Sequence, residues 1–181
     1  MGELIYISGG CRSGKSRYAQ YRAEALNGRR VYIATCPVID KEMNERIARH
    51  RFERQGRGWE TREAPEQLIE AVRQAGNEFD VLLIDCLTLW VNNLFYRAQQ
   101  EKLEITEQHM TELSSRLVRA WQECGKSLIV VSNELGMGLV PTDSASRLYR
   151  DLVGRCNQTV AAAATEAIFM VSGRPVPLNR S

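Results

Sequence analysis

Eight residues near the amino end, Gly9-Gly10-Cys11-Arg12-Ser13-Gly14-Lys15-Ser16, constrain this chain's fold more than any other feature. They match G-x-x-x-x-G-K-[ST]. An apolar run over residues 4–8 precedes them, and a segment with helical spacing, residues 16–27, follows them. A strand that passes into a helix through such a loop belongs to a parallel sheet with helical crossovers. Each fixed residue has a task. Gly9 and Gly14 permit backbone conformations that a side chain forbids, so successive amides turn inward. Those amides and the start of the next helix cradle phosphate oxygens. Lys15 brings a mobile charge to the β- and γ-phosphates, and Ser16 offers a hydroxyl to Mg²⁺. The competing reading is a glycine turn that caps a helix. Cys11 reads as a small filler of the loop.

The rest of the chain agrees with that frame. Further apolar runs occupy residues 31–35, 81–84, 128–132 and 167–172, continuous rather than alternating and rich in β-branched residues. Strands buried on both faces of a sheet read this way. Helical spacing fills residues 66–75, a segment striped by Leu113, Leu117, Ala120 and Trp121 that ends before Gly125, and one striped by Leu148, Leu152, Cys156 and Val160. The expected fold is a single α/β domain over residues 1–181, with a doubly wound, mostly parallel sheet flanked by helices. Ligands of such folds sit beyond the carboxyl ends of the strands. The polar stretch 97–111 reads as a solvated helix or excursion, and His109 within it as a surface residue. Trp59, Trp90 and Trp121 read as core.

Composition excludes some function classes. Twenty-four basic and 22 acidic side chains leave a net charge of +2, which gives no case for a nucleic-acid or membrane-surface protein. Twenty of the basic residues are Arg, a skew that suits a polyanionic ligand and that compositional bias explains equally well. The five cysteines form no C-x-x-C pair, which argues against a zinc knuckle and for a reducing compartment. With no signal-peptide pattern and no apolar run long enough to span a bilayer, the expectation is a cytoplasmic protein without membrane insertion.

Two further positions carry chemistry. Asp85 follows Val81-Leu82-Leu83-Ile84, where an acid at the end of a buried strand partners Mg²⁺ in P-loop enzymes. A helix cap is the alternative. Lys15, Ser16 and Asp85 together point to a purine nucleoside triphosphate with Mg²⁺. His50 ends a segment that reads as a helix from Asp40, sharing a face with Met43 and Ile47 amid Arg46, Arg49, Arg51, Arg54 and Arg57. Neighbouring cations disfavour the imidazolium, and a neutral imidazole can attack phosphorus. The plainer alternative is a half-buried histidine at a helix end beside a solvated arginine face.

Several segments recur in order and spacing in one known family. They are the loop 9–16, Glu42-Met43 with Arg46-Ile47 and His50, Asp85-Cys86-Leu87-Thr88 with Asn92-Asn93-Leu94, Asn133-Glu134-Leu135-Gly136-Met137-Gly138-Leu139-Val140-Pro141, and Gly154-Arg155-Cys156-Asn157-Gln158. The chain resembles the bifunctional adenosylcobinamide kinase/adenosylcobinamide-phosphate guanylyltransferases of cobalamin synthesis. The resemblance implies a RecA-like P-loop fold, a homotrimer and two reactions. ATP or GTP phosphorylates adenosylcobinamide; GTP then transfers GMP to that phosphate through a GMP-histidine, releasing pyrophosphate. It implies that His50 is the guanylylated residue and Lys15 a catalytic one. It also implies nucleotide contacts at residues 9–16, Ala34-Thr35-Cys36, Arg51-Phe52-Glu53-Arg54, Glu63 and Asp85, with Mg²⁺ at Ser16 and Asp85. A kinase without the transferase half is the alternative. One tension follows. A loop that grips β- and γ-phosphates exposes the γ-phosphorus, whereas guanylylation needs His50 in line with the α-phosphorus.

Overall fold

The computed structural model describes residues 2–37 and 54–178. In chain order its elements are β1 (Leu4–Gly9), α1 (Lys15–Glu24), β2 (Arg30–Ala34), β3 (Trp59–Glu63), α2 (Leu68–Gly76), β4 (Val81–Asp85), α3 (Leu87–Glu101), α4 (Glu107–Cys124), β5 (Ser127–Val131), α5 (Ser144–Ala163), β6 (Glu166–Val171) and β7 (Arg174–Pro177). The strands form one sheet in the order β3-β2-β4-β5-β1-β6-β7. Its pairings are parallel except that of β6 with β7.

The continuous apolar runs follow from two covered faces. Leu4, Tyr6, Leu82, Ile84, Leu128 and Val130 join one buried cluster with Leu68 and Val72 of α2, Trp90 of α3, Leu117 and Trp121 of α4, and Leu152 and Val160 of α5. Their neighbours Ile5, Ile7, Val81, Leu83, Ile129 and Val131 face the opposite way, onto Ala19 and Ala23 of α1. Period-two side-chain direction with no polar face is what erases the alternation. Each fully buried aliphatic side chain contributes about 1.5–3 kcal/mol.

Local signals set several boundaries. Thr106 caps α4 by accepting from the His109 amide, and Gly125 ends that helix at φ 65°. Asp143 caps α5 by accepting from the Ser146 amide at 2.8 Å. Helix α1 differs, because its N-cap is Gly14 and no side chain bonds its first turn. Its leading amides stay available to an anion.

The five expected strands and the four helices expected among the described residues are all present, with α1 stopping at Glu24. The polar stretch 97–111 is not one excursion. It comprises the end of α3, a turn and the start of α4, with His109 exposed as expected. Strands β3 and β7 carry no apolar pattern in sequence, whereas α3, which was not among the expected helices, does: Leu87, Trp90, Val91, Leu94 and Phe95 stand at helical spacing and face the core. β3 is the largely exposed edge strand Trp-Glu-Thr-Arg-Glu, and β7 is the exposed Arg-Pro-Val-Pro. Prolines and charges are tolerated at edges because one side needs no ladder bond. β6 and β7 join through Ser172 and Gly173, both at positive φ, the geometry of a two-residue hairpin.

Candidate active site at the carboxyl edge of the sheet

The phosphate loop is built as its glycines require. Gly9 has φ 148°, and a Cβ there would lie 2.5 Å from the Met170 carbonyl oxygen; Gly14 has φ 93°. The Gly173 amide donates to Ser13 O at 3.0 Å, so the β6–β7 turn braces the loop from outside. Lys15, only 7% exposed, curls back so that its Nζ donates to Gly10 O at 2.6 Å. Cys11 and Arg12 are exposed on the loop. Gly9→Ala is expected to lower stability by about 2–4 kcal/mol, since left-handed strain adds to a clash with backbone. Nucleotide retention falls with it; thermal melts and titration with a fluorescent nucleotide measure the two effects.

Register brings the next residues together. Glu63 on β3 pairs with Ala34 on β2, and Ala34 pairs with Asp85 on β4. The three form one row at the carboxyl edge. Asp85 does not cap a helix, because the N-cap of α3 is Cys86. Its Oδ2 instead accepts from the Tyr32 hydroxyl at 3.0 Å. Burial, and then the Asp85 carboxylate, hold the Tyr32 phenol well above its usual range, so it remains a donor. The Arg54 guanidinium lies 3.6 Å from the centre of the Tyr32 ring and is buried. The buried Thr35 Oγ1 donates to Cys86 O at 2.7 Å and accepts from Cys86 N at 2.8 Å. Asn93 ties this segment to α3 by donating to the Thr35 and Pro65 carbonyls, each at 2.8 Å. Cys36 lies just beyond, its Sγ 3.5 Å from Pro37 O.

Cysteine chemistry separates this edge from the core. Burial and then the Asp85 carboxylate push the Cys86 thiol up to about 12, while Lys15 pulls it the other way. Burial likewise raises Cys156 to about 12. Cys11 is exposed. At pH 8 an alkylating reagent is expected to label Cys11 well before Cys86 or Cys156, since only the thiolate reacts. Peptide mass mapping checks the order, and a nucleotide seated on the loop is expected to slow labelling of Cys11.

Behind the site lies a buried polar chain. The Asn133 amide donates to Thr88 Oγ1 at 2.7 Å, Thr88 Oγ1 meets Ser132 Oγ at 3.2 Å, and Ser132 Oγ donates to Asn157 Oδ1 at 2.6 Å. Asn157 Nδ2 closes the ring on Asn133 O at 3.0 Å. The ring fixes the segment leaving β5 against α3 and α5. From there the Glu134 amide donates to Gly9 O at 3.1 Å.

The site is therefore assembled from the ends of β1, β2, β3, β4 and β5. His50, Arg51, Phe52 and Glu53 lie outside the described residues, as does the helix reading over residues 40–50. Tyr32 and Gly173 belong to the site's framework and were not singled out from sequence. A tyrosine inside an apolar strand carries no signal, whereas a Ser-Gly pair after a strand does. The residues that could hold a metal are Ser16, with a hydroxyl on the first turn of α1, and Asp85. Among the described residues no group of three or more His, Cys, Asp or Glu could hold one. Two hard oxygen donors beside a phosphate cradle suit Mg²⁺, which completes its shell with phosphate and water.

The chain has relatives among known proteins along nearly its whole length. The sequence pattern of the family described as "Cobinamide kinase / cobinamide phosphate guanyltransferase" matches residues 5–178. The chain belongs to that family. Within the cobinamide kinase/guanyltransferase family, it is 39% identical over 187 aligned residues to the "Bifunctional adenosylcobalamin biosynthesis protein CobU" of Escherichia coli, covering 97% of this chain and 99% of that protein. It is 36% identical to the like-named protein of Salmonella typhimurium, over 97% and 99%. It is 40% identical to the "Bifunctional adenosylcobalamin biosynthesis protein CobP" of Pseudomonas aeruginosa, over 96% and 95%. Among solved structures the fold resembles the RadB recombinase, at TM-score 0.53 and 14% identity over 93% of this chain and 74% of that one. The expected RecA-like P-loop architecture is thereby observed. No helix among the described residues is long and apolar enough to cross a membrane.

Proposed function

We propose that this chain is a bifunctional transferase. It phosphorylates the hydroxyl of adenosylcobinamide with ATP or GTP, then transfers GMP from GTP to adenosylcobinamide phosphate through a GMP-histidine, giving adenosylcobinamide-GDP and pyrophosphate. The observation that carries the reading is a built phosphate loop, with Lys15 folded into it, inside a chain that matches its bifunctional relatives almost end to end. A kinase without the transferase half is disfavoured by those relatives.

In this reading the loop amides and Lys15 hold the β- and γ-phosphates. Mg²⁺, held by Ser16 and Asp85, would neutralise charge on the phosphates. Tyr32 keeps Asp85 oriented by donating to Oδ2. Ala34, Thr35, Cys36, Glu63 and Arg54 contact nucleotide from the β2–β3 side, with Arg51, Phe52 and Glu53. His50 is the guanylylated residue.

The test supplies purified protein with Mg²⁺, cobinamide and labelled nucleotides. γ-Label is expected in cobinamide phosphate, and α-label from GTP in an acid-labile adduct that survives gel denaturation. Native protein that takes up no α-label would refute the transferase half. Omitting Mg²⁺ with chelator is expected to silence both halves. We further read the protein as a cytoplasmic homotrimer without a nucleic-acid partner. Light scattering is expected to return about three times the 20.5 kDa chain mass.

A further inference from the structure

A cleft of about 470 Å³ opens beside the end of β5, lined by Glu134, Gly136, Arg150, Arg155, Asn157 and Gln158 among others. We propose that this cleft is the acceptor subsite of the kinase step, and that the Glu134 carboxylate takes the proton of the acceptor hydroxyl. The proposal rests on the kinase reading above and adds to it a place and a group.

Topology supplies the first argument. β5 lies between β1 and β4, so the residues leaving it emerge between the phosphate loop and Asp85. The Glu134 amide is bonded to Gly9 O at 3.1 Å, which fixes its backbone against the first residue of the loop. The buried Thr88–Ser132–Asn157–Asn133 ring holds the preceding residue from behind. Two such anchors fix the backbone at Glu134 beside the loop, the kind of support a residue acting in proton transfer needs.

The side chain supplies the second. Glu134 Oε1 accepts from the Gly136 amide at 2.7 Å. Oε2 makes no hydrogen bond to any described residue, and the side chain borders the cleft. The charged groups facing it there are Glu107 from α4 and Arg150, Asp151 and Arg155 from α5, with the Tyr6 phenol on the β1 side. Arg155 is paired with Glu107. The volume suits a hydroxyl-ended arm rather than a whole macrocycle. The remainder of a large acceptor would rest outside, where the loop continues as Met137, Leu139 and Val140. Leu139 there is 96% exposed.

The step balances without a further reagent. The acceptor hydroxyl gives its proton to Glu134, and its oxygen bonds to the γ-phosphorus. The bond from that phosphorus to the β–γ bridging oxygen breaks, its electron pair leaving on the nucleoside diphosphate beside Lys15. The protonated carboxyl then returns its proton to solvent.

Glu134→Gln is the informative variant. The amide oxygen still accepts from Gly136, so the loop keeps its shape while proton acceptance is lost. The expected result is a fall of about 100-fold in kcat for cobinamide phosphorylation, a KM for cobinamide within threefold, and loss of the acidic limb of the pH–rate profile. Glu134→Asp is expected to restore part of kcat. Nucleotide affinity and the α-GTP label report whether the loop is intact. Phosphorylation within threefold of wild type in Glu134→Gln would overturn the proposal. So would equal losses of phosphorylation and nucleotide binding, which mark a structural role. Should wild type itself phosphorylate no cobinamide, the kinase reading fails first, and this proposal with it.

Discussion

Lys15→Ala is expected to reduce cobinamide phosphorylation at least 1000-fold, the largest single effect at this site. Phosphoryl transfer demands little covalent chemistry of the protein, so most of the acceleration comes from positioning and charge neutralisation. One preorganised charge or donor in a site shielded from water contributes about 10²–10³-fold, and Lys15 also orders the loop that supplies the others. Its ammonium lies inside the loop, 2.6 Å from Gly10 O. Lys15→Arg is not expected to rescue. A planar fork does not take the place of a compact ammonium that bonds the Gly10 carbonyl and the Ser13 hydroxyl. The fold survives either change, because Lys15 belongs to neither hydrophobic cluster. Steady-state kinetics with a melting curve as control is the check, and more than a tenth of wild-type activity in Lys15→Ala would remove the residue from the mechanism.

His50→Ala is expected to abolish the acid-labile GMP adduct, to background, while leaving γ-phosphate transfer to cobinamide within a few-fold of wild type. A covalent route has no residual path once its nucleophile is gone. The chain has one other histidine, His109, and it is exposed on the first turn of α4. Denaturing gels after incubation with α-labelled GTP measure the adduct, and a parallel γ-label assay measures the kinase. Loss of both activities together would mean that His50 serves the nucleotide site as a whole. Persistence of the adduct would move the nucleophile elsewhere.

How much of this was legible differs from residue to residue. The loop 9–16 carried its own evidence, because glycines at fixed spacing encode backbone angles that the structure then requires. Asp85 was legible as an acid at a strand end, but its exclusion as a helix cap needed the observation that Cys86 holds that place. Edge strands β3 and β7 were invisible, since an exposed strand needs no apolar period. Tyr32 was invisible for the opposite reason. Among Val31, Ile33 and Ala34 it passes for one more core residue, and only its hydroxyl on Asp85 marks it. Register, which lines up Glu63, Ala34 and Asp85 from segments far apart in sequence, follows from sheet order and is written in no local pattern.

The turn between β6 and β7 joins segments distant in sequence, in time as well as in space. Gly173 donates to Ser13 and packs beside Gly14, so a loop translated earlier takes its finished shape against a turn translated much later. A ribosome-bound chain stalled before β7 is expected to carry the whole glycine-lysine motif and still bind nucleotide poorly. Nucleotide capture by stalled chains of increasing length would therefore time the docking of this hairpin.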